Sequence, residues 1–223
     1  MKVILFGATG MVGQGVLREC LLDPDVELVE TVGRSATGQK NPKLREIVQT
    51  DLFNYSAIEK DLAGFAACFF TLGVTSAGMK EAEYTRVTHD ITLAAAETLV
   101  RLNPGMTFIY VSGAGTDSSE RGSSMWARVK GKTENDLLRL PFRAAYMFRP
   151  GVIQPLHGIQ SRTRAYRILY VFFKPLMPML HRMFRSVVTT EEIGRAMLNV
   201  AKHGAPKKVL EAQDIRAYSE PRP

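Results

Sequence analysis

The sequence predicts an α/β protein in which a parallel sheet is covered by helices on both faces, and three observations carry that prediction. Short apolar runs alternate with helical patterns from the first residue to about residue 200. A spaced glycine series follows directly on the first run and opens the first helical pattern. The longest helical pattern puts Val87, Ile91, Ala94, Ala95, Thr98, Leu99 and Leu102 on one stripe, the mark of a helix laid on a core. In order, strands are expected over 3–6, 26–32, 46–49, 65–71, 107–112 and 144–148, with a last one over 208–212. Helices are expected over 12–22, 55–62, 80–102 and 126–140. Asn103-Pro104-Gly105 ends the third of these. Beyond Pro150 the pattern changes to a helix over 161–173, a Pro-interrupted stretch, and a helix over 189–202 with Thr190 as its cap. Residues 218–223 read as a loose tail. The whole chain, 1–223, reads as a single domain, with 151–205 as a small helical elaboration on the carboxyl side of the sheet.

Composition narrows the class. The 223 residues are 45% hydrophobic and 23% charged, which excludes a disordered chain and a minimal disulfide scaffold. Net charge is +7, but no acidic residue stands between Asp136 and Glu191, and that stretch holds Arg139, Arg143, Arg149, Arg162, Arg164, Arg167, Lys174, Arg182 and Arg185. Those nine exceed the whole excess, so one segment is basic and the rest of the chain is not. Cys20 and Cys68 lie in apolar runs without ligand spacing and are expected to be buried hydrophobes; no metal site is expected. The apolar run at 3–6 is too short for a secretory signal, so a cytosolic (cytoplasmic) protein is expected. The window 168–180, broken by Lys174, Pro175 and Pro178, falls short of a membrane span.

Gly7-Ala8-Thr9-Gly10-Met11-Val12-Gly13 carries the chemistry of dinucleotide binding. Gly7 permits the tight turn, Gly10 lets the backbone approach a pyrophosphate, and Gly13 lets helix and strand pack closely. The phosphates sit on free amides at the helix N-terminus, so Gly7, Thr9, Gly10, Met11, Val12 and Gly13 are the expected contacts. A site for NAD wants a carboxylate at the end of the second strand; Arg34 and Ser35 stand there, while Glu30 lies inside the strand. NADP(H) is therefore expected over NAD(H). Asp51 and Leu52, after the third strand, are placed to hold the adenine, and Leu72 and Gly73 to let backbone lie against the cofactor.

The glycine series, Thr71-Leu72-Gly73, Val111-Ser112 and Arg149-Pro150-Gly151-Val152 occur in this order, and with them the sequence resembles the atypical short-chain dehydrogenase/reductases. It is most similar to the NAD(P)H-binding proteins grouped with the Tat-interacting oxidoreductase-like proteins and the NmrA-like redox sensors. The resemblance implies a Rossmann-type doubly wound sheet in order 3-2-1-4-5-6. It also implies a nicotinamide beside the Arg149-Pro150-Gly151 turn, with Pro150 and Val152 in contact, and a substrate pocket roofed by the segment after Pro155. Enzymes of the family transfer hydride to or from a carbonyl or alcohol, with a Tyr as acid/base, a Lys four residues later that lowers the Tyr pKa and binds the cofactor ribose, and a Ser on the substrate oxygen. Here Ser112 and Lys130 match, and Trp126 occupies the Tyr position. An indole N–H donates a hydrogen bond but exchanges no proton near neutrality.

Three readings follow. Another group supplies the proton, Tyr84, His157 or a water held by Ser112, and the chain is an oxidoreductase or epimerase-like enzyme acting on a small carbonyl, alcohol or quinone-like substrate. Or the site binds NADP(H) without turnover, as a redox sensor or scaffold for a protein partner. Or Trp126 stacks over the nicotinamide or an aromatic substrate and no strong acid is needed. The bland alternatives are that Trp126 is a core or lid aromatic, and that Lys130 lies on a solvated face with Glu134 as its i,i+4 partner. Gly113 and Gly115 keep the loop beside Ser112 open. The basic segment, 162–185, with Tyr166, Tyr170, Phe172 and Phe173, reads as a substrate lid, a protein or dimer surface, or a weak membrane-surface helix. No nucleic-acid module is readable, and monomer or homodimer both remain open.

Overall fold

The computed structural model describes residues 1–159 and 186–220. The expected helix over 161–173 and the basic 162–185 segment, with its lid, partner and membrane readings, lie outside the described residues, as do 221–223.

Seven parallel strands form one sheet: β1 (Lys2–Phe6), β2 (Leu28–Gly33), β3 (Leu44–Val48), β4 (Ala67–Phe70), β5 (Thr107–Val111), β6 (Ala144–Arg149) and β9 (Val209–Glu211). Their order is β3-β2-β1-β4-β5-β6-β9, which contains the expected 3-2-1-4-5-6 and adds β9 beside β6. Val3, Ile4, Leu5 and Phe6 are all 0% exposed. A strand covered on both faces reads as a continuous apolar run, which is why these strands are visible in sequence. On one face lie α1 (Met11–Leu22), α5 (Thr190–His203) and α6 (Ala212–Ser219), around Val16, Leu17, Ile193 and Ile215. On the other lie α3 (Ile91–Leu102) and α4 (Met125–Arg139), around Ala95, Leu99 and Leu137. A second, two-stranded parallel sheet pairs β7 (Val152–Gln154) with β8 (Val187–Thr189).

Several expectations are corrected. The helix over 55–62 reduces to a 3-10 turn at Ser56–Ile58, because the segment is short and runs into Gly64, whose φ is +84°. The amides of Gly64 and Phe65 are instead held by Asn103 Oδ1 at 2.7 and 2.9 Å. The helix over 80–102 is interrupted: α2 (Glu81–Thr85) passes into a π-helical turn at Arg86–Asp90 before α3. Tyr84 before the π turn and Ala95 after it are both buried. The tail expected from Tyr218 is in part helix α6, started by a capping box between Glu211 and Asp214.

The cap of α5 is Thr189, not Thr190. Thr189 Oγ1 accepts the Glu192 amide at 3.0 Å and Glu192 Oε2 accepts the Thr189 amide at 2.7 Å, a reciprocal capping box. Thr190 instead packs on α1, where a Cβ on Gly15 would stand 2.6 Å from its Cβ. Thr189→Ala removes one half of the box and is expected to lower stability by about 1 kcal/mol, read as the denaturant midpoint; a loss under about 0.3 kcal/mol would mean the box is not holding the helix. No described helix is long and apolar enough to cross a membrane.

Candidate functional site

The carboxyl ends of β1, β2 and β4 converge on one cradle. Gly7 takes φ +82°, and a Cβ there would stand 2.8 Å from the Leu72 nitrogen and from Thr71 Oγ1, so the first turn lies directly against the end of β4. Thr71 Oγ1 donates to the Phe6 carbonyl at 2.7 Å and holds the two strand ends together. Gly13 is tighter: a Cβ would stand 2.0 Å from Gly7 O. Gly10 caps α1 with no side-chain hydrogen bond, and the first turn of α1 carries no acidic residue. The N-terminal amides of a 12-residue helix thus face the turn without a protein carboxylate to satisfy them.

A cavity of about 330 Å³ opens here, lined by Gly7, Ala8, Thr9 and Leu72 near the helix and by Thr31, Val32, Gly33, Arg34, Ser35 and Leu52 at its other end. Arg34 and Ser35 are exposed at that end. Glu30, the competing acid, faces away: it is 0% exposed and paired with Arg45, and burial pushes its pKa up against the pull of that arginine. Glu46 was not singled out by sequence; opposite Thr31 in the sheet, its Oε2 accepts the Thr37 amide at 2.6 Å and so pins the loop that carries Arg34 and Ser35. Asp51 is exposed and its Oδ1 accepts the Phe53 amide at 2.9 Å, shaping the turn, while its neighbour Leu52 reaches the cavity. Gly73 is exposed, and among the described residues, its chain neighbours aside, nothing lies within 4 Å of where a Cβ would be.

Around the end of β5 a second group assembles. Lys130 Nζ donates to the Ser112 carbonyl oxygen and lies 6.0 Å from the Tyr110 ring centroid. Displacement of water from the ammonium lowers the Lys130 pKa to about 8, with Glu134 pulling it back up. One turn earlier on α4, Trp126 is part-buried and covers the loop after β5: a Cβ on Gly115 would meet its ring at 3.5 Å. Ser112 Oγ turns the other way, donating to Glu134 Oε1 and approaching the Phe148 carbonyl at 3.2 Å.

Glu134 corrects one expectation outright. It is not on a solvated face but 1% exposed, held by Arg149 through Nε at 3.0 Å and through a second guanidinium nitrogen. Arg149 also reaches Glu211 at 3.4 Å and Ser118 Oγ at 2.5 Å. The turn after it is fixed as well: the Ala114 amide donates to Pro150 O at 2.8 Å, and a Cβ on Gly151 would stand 2.4 Å from Ser186 O. Pro150 is buried, whereas Val152 is 47% exposed on β7.

The two side chains considered as replacement donors are engaged elsewhere. Tyr84 is 2% exposed on α2, and burial pushes its phenol pKa up. His157, at φ 56°, pairs with Glu191 at 2.6 Å beside Arg18 and Arg195; that contact holds the Glu191 carboxyl below its usual range. Among the described residues no contact joins His157 to Ser112, Trp126 or Lys130. Cys20 and Cys68 are free and buried. Among the described residues no group of three or more His, Cys, Asp or Glu is arranged to hold a metal.

No family model matches the chain. It is 27% identical over 213 residues to Protein FMP52-2, mitochondrial, of Scheffersomyces stipitis, covering 93% of this chain and 90% of that one. It is 30% identical over 159 residues to Protein fmp52, mitochondrial, of Aspergillus fumigatus, covering 68% and 66%. These relatives are named as mitochondrial proteins, which overturns the expectation of a cytosolic one. Among solved structures, a short-chain dehydrogenase/reductase of Saccharomyces cerevisiae is similar at TM-score 0.66 and 15% identity, covering 97% of this chain and 98% of that one. The dTDP-glucose 4,6-dehydratase DesIV of Streptomyces venezuelae, solved with NAD and TYD bound, is similar at TM-score 0.70 and 15% identity, covering 94% and 74%. In fold, the chain is of the Rossmann type, with the parallel sheet seen in these short-chain dehydrogenase/reductase and dehydratase structures.

Proposed function

We propose that the chain is an NADP(H)-dependent oxidoreductase acting on a small carbonyl, alcohol or quinone-like compound. One observation carries this reading: the glycine turn that leads into an uncapped helix N-terminus lines a cavity that ends at Arg34 and Ser35. The uncapped N-terminus of α1 suits a pyrophosphate, Leu52 suits the adenine face, and a cation with a hydroxyl suits a 2′-phosphate better than a 2′-hydroxyl. The dinucleotide, when bound, supplies or accepts a hydride. Lys130, Ser112 and Trp126 then stand at the reacting end, and the exposed Val152 and the Pro150 carbonyl border it. The names of the relatives support a mitochondrial setting.

The expected result is that NADPH raises the melting temperature more than NADH does and quenches the emission of Trp126, the only tryptophan. Arg34→Glu is expected to weaken NADPH binding tenfold or more, since a hydrogen bond to a charged group contributes about 1.5–3 kcal/mol. Equal shifts for the two dinucleotides, or an unchanged preference in Arg34→Glu, would remove the 2′-phosphate assignment.

A second reading draws on Trp126 and the turned-back Ser112 hydroxyl: a dinucleotide-binding redox sensor without turnover. NADPH binding with no consumption against aldehydes, ketones and quinones, and activity appearing only in Trp126→Tyr, would favour it.

A further inference from the structure

We infer that Lys130 Nζ, rather than a hydroxyl, is the proton donor to the substrate oxygen in this chain, a role that rests on the oxidoreductase reading above. The inference starts from what each other donor is doing. Trp126 holds the place from which a phenol would act, and an indole N–H does not titrate near neutrality. The Ser112 hydroxyl donates to Glu134, a carboxylate itself fixed by Arg149. Tyr84 is closed off in the core, and His157 is held by Glu191 on the α1–α5 side of the sheet.

Lys130 is differently placed. Its ammonium stands at the carboxyl end of β5, on the edge of the sheet where ligands bind in doubly wound folds. An ammonium has three N–H donors, and Lys130 uses one on the Ser112 carbonyl. The groups facing it are Glu134 on its own helix, Tyr110 on β5, and Arg149 on β6 behind Glu134; Tyr84 on α2 lies beyond Tyr110. His89 on the π turn faces Asp136, which Lys132 also contacts, on another part of α4. Partial burial lowers the Lys130 pKa to about 8, so the charged form can release a proton near working pH, whereas an ordinary lysine cannot.

The step balances. With a reduced dinucleotide bound, the carbonyl carbon would take its hydride, so that the dinucleotide is oxidised and the carbonyl reduced. The C=O π pair moves to oxygen, and that oxygen takes the proton from Nζ. The neutral amine regains a proton from solvent.

Two measurements test this. Competitive acetylation of the dinucleotide-free protein across a pH series, read by peptide mass spectrometry, is expected to give Lys130 a midpoint near pH 8, apart from the other lysines. In NADPH-dependent reduction of a panel of aldehydes and ketones, kcat is expected to fall as pH rises through about 8. Lys130→Arg keeps the charge but cannot lose a proton, and is expected to lose 100-fold or more in kcat at saturating NADPH. A Lys130 midpoint near 10.5, or Lys130→Arg within threefold of the native kcat, overturns the inference. NADPH binding without reduction of any carbonyl also overturns it and leaves the dinucleotide assignment standing. Absence of any NADPH shift in the native protein removes that assignment and this role with it. The acetylation midpoint is read on the native chain, so a folding failure of Lys130→Arg does not decide the result.

Discussion

Glu134→Ala is expected to lower folding stability by about 3–5 kcal/mol, because it strands a guanidinium that is 12% exposed and that Glu134 holds through two nitrogens. For a chain of this length that corresponds to roughly 10 °C in the melting temperature. The remaining contacts of Arg149 do not compensate: Glu211 lies 3.4 Å away and is 46% exposed, and Ser118 Oγ is a neutral acceptor. The double substitution Glu134→Ala with Arg149→Met is expected to recover most of the loss, since it removes the stranded charge along with its partner. Urea midpoints of the two variants check this. A loss under about 1 kcal/mol in the single variant, or no recovery in the double, would show that water already solvates the pair.

That pair also marks where sequence reading ran out. Glu134 follows Lys130 by four residues on a helix, and the local pattern offers an exposed i,i+4 partner. Its real partner, Arg149, sits at the end of a strand, and only the docking of α4 on β6 brings them together. Arg149 likewise belonged to the acid-free basic stretch between Asp136 and Glu191. In the fold it faces Glu134 and Glu211, Arg143 donates to Thr107 Oγ1, and Arg139 pairs with Asp136, so the described part of that segment is largely neutralised from within. The Thr190 cap failed by one residue because β8, only three residues long, hands over to α5 at Thr189. The elements that did read correctly were fixed by local chemistry. Both faces of β1 are buried, so its apolar run could not be mistaken for a surface segment. The spacing Gly7, Gly10, Gly13 records contacts within seven residues, and a single sequence can show those.

Gly13→Ala is the sharpest test of that spacing. A Cβ at residue 13 would stand 2.0 Å from Gly7 O, 2.6 Å from Gly7 C and 2.9 Å from the Ala8 Cα, all of them backbone atoms of the turn that the dinucleotide assignment depends on. No rotamer change relieves such an overlap, so α1 must move away from β1 or the turn must open. Either way the turn that lines the cavity through Gly7, Ala8 and Thr9 is displaced from the start of α1. The expected outcome is a stability loss of about 1–3 kcal/mol or more, together with loss of the NADPH-induced melting shift. Gly73→Ala supplies the contrast: with no atom of the described residues beyond its chain neighbours within 4 Å of the new methyl, stability is expected to stay within about 0.5 kcal/mol of the native value. Any weakening of NADPH binding in Gly73→Ala then reports contact with the ligand itself. If Gly13→Ala keeps both its stability and its NADPH shift, the turn is not the phosphate cradle that its geometry describes.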